Sequence, residues 1–224
     1  MNIFWERRIF WRSKAHRIEK VDGEFKTMQK YNLVIAIEGI DGAGKTSLIT
    51  LLKQELGDRA CVYSRTQKGI FADFLLDHFP LRNSHVLQIP FYFLLSYINY
   101  INLKKQNQAS ILIMDRCFLS NICYYYPMAM DNRLLYNFVM LFEVKLRPTE
   151  IFILDEDAIV AYKHDKMRKK LDWLIQVRSN YLKTPQAPTL ANYQINVINS
   201  RLTPKDKKDI IIKRLHKLWR KNGS

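Results

Sequence analysis

The segment Gly39-Ile40-Asp41-Gly42-Ala43-Gly44-Lys45-Thr46 satisfies the spacing GxxxxGK(S/T). Each residue type in it suits the binding of a phosphate chain. Gly39, Gly42 and Gly44 tolerate positive φ, so the backbone can wrap an anion with its N–H groups. Ala43 and Ser47 carry the same lining into the segment that follows, and a helix opening there directs its positive dipole end at the anion. Lys45 supplies a point charge for β and γ oxygens, and the Thr46 hydroxyl is placed for Mg²⁺. The chemistry implied is the binding of a phosphate chain together with Mg²⁺. A glycine-rich turn with a chance Lys-Thr is the plainer alternative, and the flanking context separates the two.

That context is a strand before the loop and a helix after it. Leu33-Val34-Ile35-Ala36-Ile37 is an unbroken apolar, largely β-branched run that ends at Glu38-Gly39. Continuous hydrophobicity suits a strand buried on both faces, as in a parallel sheet. From Ser47 onward Leu48, Leu51, Leu52 and Leu56 fall at helical spacing, and Gly57 ends the run. Residues 61–64, 111–114, 151–154 and 193–198 predict further strands. Residues 71–78, 88–103, 134–144 and 204–221 predict helices, and 158–183 predicts one or two basic helices. Strands separated by helices imply right-handed βαβ units. The expected fold class is therefore α/β: a P-loop NTPase three-layer α/β/α with a mostly parallel five-stranded sheet. The expected domains are a basic N-terminal extension, 1–30, and one kinase domain, 31–224.

Composition narrows the function classes. A chain of 224 residues buries roughly 70% of its unfolded surface and needs no disulfide or metal staple. With 7 Gly and 7 Pro it is no many-turned β-sandwich. The 36 Lys+Arg exceed the 21 Asp+Glu and give a net charge of +15, a field that draws polyanions in general without choosing among them. Cys61, Cys117 and Cys123 match no zinc or redox spacing, which points to a reducing compartment. The most apolar stretch, 89–103, falls short of the roughly 20 residues of a membrane span. A cytoplasmic protein is expected. The extension carries 8 basic and 4 acidic residues with Phe4, Trp5, Phe10 and Trp11; its acids argue against organellar targeting. Met28 stands just before the first core strand.

The words Ile37-Glu38-Gly39-Ile40-Asp41-Gly42-Ala43-Gly44-Lys45-Thr46 are more specific than the bare spacing, and they resemble the opening strand and loop of the thymidylate kinase family. Met114-Asp115-Arg116-Cys117-Phe118-Leu119-Ser120 resembles that family's Asp-Arg segment with its downstream Ser. Tyr124 falls where the family often has Tyr. Tyr63-Ser64-Arg65 followed by Gly69 is similar to the Arg-Glu-Pro-Gly-Gly segment. Residues 148–155 resemble the strand ending in Leu-Asp, the basic stretch after it the lid, and 197–204 the loop near the adenine. The resemblance spans about 31–220. It implies that the loop, Lys45 and Thr46 hold ATP and Mg²⁺, with Asp115 organising metal water or the acceptor. It further implies that Asp41 faces the acceptor's sugar and that Arg116 and Arg65 grip its phosphate, with Ser120 and Tyr124 nearby. Arg offers a bidentate fork for that purpose. Lys166 and Arg168 are the lid candidates. Asp155, Glu156 and Asp157 read as a strand terminus and helix cap.

Two departures from the family matter most for the acceptor, and a third accompanies them. Thr66-Gln67-Lys68 stands where the family has Glu after the first Arg. Phe91-Tyr92-Phe93-Leu94 stands where a helix Arg faces the nucleotide, and Tyr125 replaces a Gln. Aromatics of that helix can stack a base, although such spacing more often marks core. The expected function is an ATP-dependent kinase acting on a nucleoside monophosphate, dTMP or a relative, with dTMP itself a poor substrate. The rivals are a kinase of a nucleoside or other small molecule, and a non-catalytic nucleotide-binding protein whose basic surface takes nucleic acid or a partner. The expected partner is a small-molecule phosphate acceptor, with a homodimer admitted and neither membrane nor nucleic acid expected.

Overall fold

Strand β1, Leu33–Gly39, is buried at every residue, and a strand reaches that state only when both its faces and both its edges are covered. A computed structural model supplies those covers; it describes residues 32–64, 109–141, 146–164 and 170–222. β1 pairs with β3, Ile111–Asp115, on one side and with β4, Glu150–Asp155, on the other. β2, Ala60–Ser64, lies beyond β3, and β5, Gln194–Asn199, beyond β4. The order is β2-β3-β1-β4-β5, and all four pairings are parallel. Outward from β1 the burial falls away, to a β5 half of whose residues are exposed.

Between the strands lie α1, Lys45–Leu56; α2, Phe118–Tyr125; α3, Arg133–Leu141; α4, Ala158–His164; and α5, Leu171–Lys183; α6, Pro204–Asn222, closes the chain. The step from β1 to β2 runs one way across the sheet, and the steps from β3 to β4 and β4 to β5 run the other way. Right-handed crossovers then place α1 on one face and α2, α4 and α5 on the opposite one. The contacts agree: α1 packs on α6, while α5 packs on α2 and α4. The chain leaves β1 in one direction and later crosses it in the other, so β1 is the switch point. A ligand crevice opens beyond its carboxyl end. Register sharpens the placement, because Ile37 faces Asp115 across one pairing and Gly39 faces Leu154 across the other.

The expected α/β class, the five strands and the helices after the loop, after β4 and at the chain's end are all present within a residue or two. The stretch 158–183 resolves into α4 and α5. The expected helices over 71–78 and 88–103 lie outside the described residues, as does the end of the 134–144 helix. Helix α2 was not expected, and the reason is physical. Its N-cap, Cys117, offers no side-chain cap; the Cys117 N–H instead donates to Glu38 Oε1 at 2.6 Å, a residue 79 positions earlier. Other starts are capped locally and legibly. Asn132 Oδ1 accepts the N–H groups of Leu134 and Leu135, and Asp157 Oδ1 those of Ile159 and Val160. Thr203 and Asp206 cap α6 reciprocally.

One ion pair fixes α6 against the sheet. Glu150 is buried at the start of β4, where its Oε1 accepts Arg214 Nε at 2.6 Å and its Oε2 accepts Asn196 Nδ2 at 3.2 Å. Removing the arginine leaves a buried carboxylate short of its charge partner. Arg214→Leu should therefore cost about 2–3 kcal/mol in urea unfolding. Adding Glu150→Gln should recover most of it; a double variant no more stable than the single would refute the pairing's role. Because β1 begins at Leu33, a chain starting at Met28 should melt within a few degrees of the full chain, and an insoluble product would place the front aromatics in the core.

Candidate active site

The loop between β1 and α1 is shaped by two close approaches. Gly39, at φ 135°, sits where an added Cβ would lie 2.6 Å from the Leu154 carbonyl oxygen. Gly42, at φ 84°, presses on α4, where a Cβ would lie 2.1 Å from the Ala161 oxygen. Any side chain at either place would push the loop off β4 and α4. Gly44, at φ 80°, is different: nothing stands within 4 Å of its Cβ position, so its open side faces the crevice. It is also the N-cap of α1 and provides no side-chain cap. The first N–H groups of α1 are thus presented at an open glycine, with exposed Thr46 and Ser47 beside them. Ala43 is buried and its N–H closes the turn onto the Ile40 oxygen at 3.3 Å.

Lys45 folds back beneath this loop. Its Nζ donates to the Gly39 oxygen at 3.1 Å and the Ile40 oxygen at 2.8 Å, and the side chain is buried. Burial and the neighbouring Arg116 charge lower its pKa from 10.5 to about 7, against the pull of Asp41, Asp115 and Glu38. Its proton is therefore weakly held. Asp115 ends β3 beside it, and burial raises its carboxyl pKa despite Lys45 and Arg116.

Arg116 is the hub. It stands at φ 71°, a left-handed conformation uncommon for a side chain of this size and one that clusters at functional sites. Its own N–H is fixed to the Ile37 oxygen at 3.2 Å. From there Nη1 donates to the Gly39 oxygen at 3.2 Å, Ser120 Oγ at 3.1 Å and Tyr181 OH at 3.4 Å. Nη2 pairs with Asp41 Oδ1 and reaches Tyr124 OH at 3.4 Å. The guanidinium also lies 5.2 Å from the centre of the Tyr124 ring, which meets Trp173 edge-on at 5.0 Å. Beneath it lies Glu38, fully buried. Glu38 Oε2 accepts the Ser120 hydroxyl at 2.7 Å and the Tyr181 hydroxyl at 2.9 Å, and stands 4.0 Å from Nη1. Burial raises the Tyr181 and Tyr124 hydroxyl pKa values well above the ordinary range, so both stay protonated.

The structure thus brings together Gly39, Asp41, Gly42, Gly44, Lys45, Asp115, Arg116, Ser120 and Tyr124 around one crevice edge. Arg65, Lys166 and Arg168 lie outside the described residues. The acidic run after β4 disperses into structural pairs: Asp155 with Arg178 at 2.7 Å, Glu156 with Lys207 at 3.9 Å, and Asp157 as the α4 cap. Sequence reasoning missed Glu38 and Tyr181. A lone Glu closing an otherwise apolar strand was a usable signal for the first, whereas nothing local marks Tyr181 among the residues of α5.

No cluster of three or more His, Cys, Asp or Glu side chains that would cage a metal occurs among the described residues. Mg²⁺ seldom uses such a cage; one or two oxygen ligands plus substrate phosphates suffice. An exposed hydroxyl at Thr46 and a strand-end carboxylate at Asp115 fit that demand, and the first N–H groups of α1, presented at the open Gly44, fit a phosphate chain. No helix among the described residues is long and apolar enough to cross a membrane.

Known proteins resemble this chain over most of its length. A "Probable thymidylate kinase 1" of Saccharolobus solfataricus is 29% identical over 191 residues, covering 82% of this chain and 94% of that protein. A "Probable thymidylate kinase" of Methanosphaera stadtmanae is 29% identical over 185 residues, covering 77% and 90%. Among solved structures, thymidylate kinase from Ehrlichia chaffeensis superposes with a TM-score of 0.60 at 18% identity, over 83% of this chain and 99% of that one. Deoxyadenosine kinase from M. mycoides with bound dATP gives 0.58 at 16% identity, over 81% and 98%. These two share the fold. The family model described as thymidylate kinase matches residues 37–210, from within β1 to within α6, and the chain belongs to the thymidylate kinase family of nucleotide kinases.

Proposed function

We propose that this chain transfers the γ-phosphoryl group of ATP, with Mg²⁺, to a nucleoside monophosphate, dTMP or a relative. One observation carries the reading: a phosphate-binding loop over a buried lysine, met from the neighbouring strand by an arginine already paired with the loop's own Asp41. Donor-side and acceptor-side cations therefore share one crevice, as transfer between two phosphates needs. The loop from Gly39 to Ser47 holds the donor phosphates, and Thr46 and Asp115 hold the metal, which supplies charge neutralisation when bound. Lys45 and Arg116 flank the transferring group. Asp41 and Tyr124 face the acceptor, and Ser120 supports Arg116 from below. Arg65 completes the acceptor grip, and Lys166 or Arg168 the lid. The relatives named thymidylate kinase support the nucleotide acceptor. A nucleoside kinase sharing the fold keeps the neutral acceptor as the second reading.

Steady-state ADP formation under saturating ATP-Mg²⁺ separates these readings across dTMP, dUMP, dCMP, UMP and thymidine. Because Arg116 favours an anion, a monophosphate should be turned over faster than thymidine. The two departures from the family remove polar partners worth roughly 1.5–3 kcal/mol each, so dTMP should be weakened by about two powers of ten or more. Turnover confined to thymidine, or absent throughout, would overturn the proposal; a micromolar dTMP Michaelis constant would overturn only its specificity. Lys45→Ala should lower kcat roughly hundred- to thousandfold, the loss typical of one preorganised donor.

The lysine makes a second, pH-resolved prediction. Folded, Lys45 gives up its proton near pH 7; unfolded, near 10.5. Between those values the unfolded chain binds more protons, so stability rises with pH through that window, and below it the burial penalty is complete. Lys45→Met removes the penalty. Its Tm should exceed that of the wild type at pH 6, and the gap should close by pH 10. A phosphate chain against Nζ favours the charged form. Nucleotide binding at pH 8 should accordingly take up close to one proton, read by calorimetry in buffers of different ionisation enthalpy and lost in Lys45→Met.

A further inference from the structure

The two carboxylates beside Arg116 differ in kind. Glu38 is wholly enclosed, and its oxygens are taken up by three partners from two elements: the Cys117 N–H at the start of α2, the Ser120 hydroxyl in α2 and the Tyr181 hydroxyl in α5. Asp41 is on the loop, its side chain 21% exposed at the crevice. The guanidinium is divided between them, Nη1 toward the enclosed side and Nη2 toward Asp41 and Tyr124.

A hydroxyl has one proton and two lone pairs. Ser120 Oγ and Tyr181 OH each have a carboxylate oxygen at 2.7–2.9 Å on one side and Arg116 Nη1 at 3.1–3.4 Å on the other. A carboxylate accepts only and a guanidinium donates only. The two hydroxyls also lie 3.1 Å apart, a contact in which either is able to donate, but the Glu38 oxygen is the charged and nearer acceptor at 2.7 and 2.9 Å. Both hydroxyl protons therefore point to Glu38, and both oxygens turn lone pairs toward Arg116. Without Glu38 either proton is able to turn toward the guanidinium and repel it. Arg116 also needs such support, because its backbone occupies the left-handed region.

We propose that Glu38 is a positioning residue which, by taking the hydroxyl protons of Ser120 and Tyr181, locks the Nη1 side of Arg116 and leaves the Nη2 side to exchange from Asp41 onto an anionic acceptor. The proposal rests on the kinase reading above for the identity of that anion, a phosphate monoester, but not for the lock itself. Asp41 holds the place that an acceptor phosphate oxygen takes.

The lock and the function are tested separately. In the protein alone, labelled at arginine side-chain nitrogens, a locked guanidinium gives resolved, slowly exchanging Nη protons for Arg116. Tyr181→Phe, which removes one acceptor oxygen while keeping the ring, should merge them. Merged signals in the wild type, or resolved ones in Tyr181→Phe, overturn the proposal whatever the activity. In turnover, Tyr181→Phe should lower kcat/KM for dTMP about tenfold, the scale of one charge-assisted hydrogen bond, with the KM for ATP unchanged within about twofold. In an Arg116→Ala background the same substitution should add nothing. An equal loss in both backgrounds would mark Tyr181 as a packing residue only and overturn the proposal. Glu38→Gln should act more strongly in the same direction; if it fails to fold, Tyr181→Phe still decides. No turnover of any monophosphate by the wild type would count against the kinase reading alone, and the lock would stand or fall on the nitrogen spectra.

Discussion

A guanidinium held between an enclosed carboxylate and a loop carboxylate joins every part of the crevice. Arg116 is carried out of β3 in a left-handed turn, and its side chain reaches the Gly39 oxygen and Asp41 on the loop after β1. Beneath it Glu38 would be a heavily penalised buried charge without its donors. Those donors in turn fix where α2 begins and which face α5 presents, since Cys117 and Ser120 belong to the first and Tyr181 to the second. The sheet brings Ile37 level with Asp115; the charge network then ties together the chain beyond the two strands.

The loop is constrained unevenly, and that unevenness suits its task. On the sheet side Gly39 meets Leu154 and Gly42 meets Ala161 at distances that exclude any Cβ. Toward the crevice Gly44 meets nothing. The backbone is thereby backed by β4 and α4 and presents its N–H groups without having to reorganise for each ligand, which is the condition for preorganised electrostatics. The contact of α4 with Gly42 also ties the segment that leads toward the lid candidates directly to the phosphate cradle.

The sheet was legible in the sequence because its strands are continuous apolar runs, a signal that survives without knowledge of partners. The loop was legible because glycine at three positions and Lys-Thr at its end have few other joint explanations. Local caps such as Asp157 were also readable. What escaped detection depends on residues distant in the chain. Helix α2 starts on a hydrogen bond to Glu38, and Tyr181 enters the network from 143 residues beyond Glu38. No window of ten or twenty residues contains either fact. The pairing of Arg116 with Asp41 was likewise hidden, although both had been singled out, because each looked like a group reaching for substrate rather than for the other.

The net charge of +15 invites the view that the crevice is simply positive, and the local arrangement argues otherwise. Around the loop two cations, Lys45 and Arg116, face three carboxylates, Glu38, Asp41 and Asp115. Lys45 is moreover weakly charged near neutrality. Much of the excess basicity lies instead on surfaces such as α6, where Lys208 is engaged with Glu55 and Asp209. A site so balanced does not attract a phosphate chain strongly by its own field. On the proposed function it becomes favourable to one when the anion itself recharges Lys45, when Asp41 gives up Arg116, and when a divalent ion adds its charge. On that reading, partial occupancy leaves one of the two cations neutralised, so the full positive field assembles only with both phosphates in place. Charge that appears on assembly acts on the transferring group more than on either ligand alone, which is where catalysis needs it.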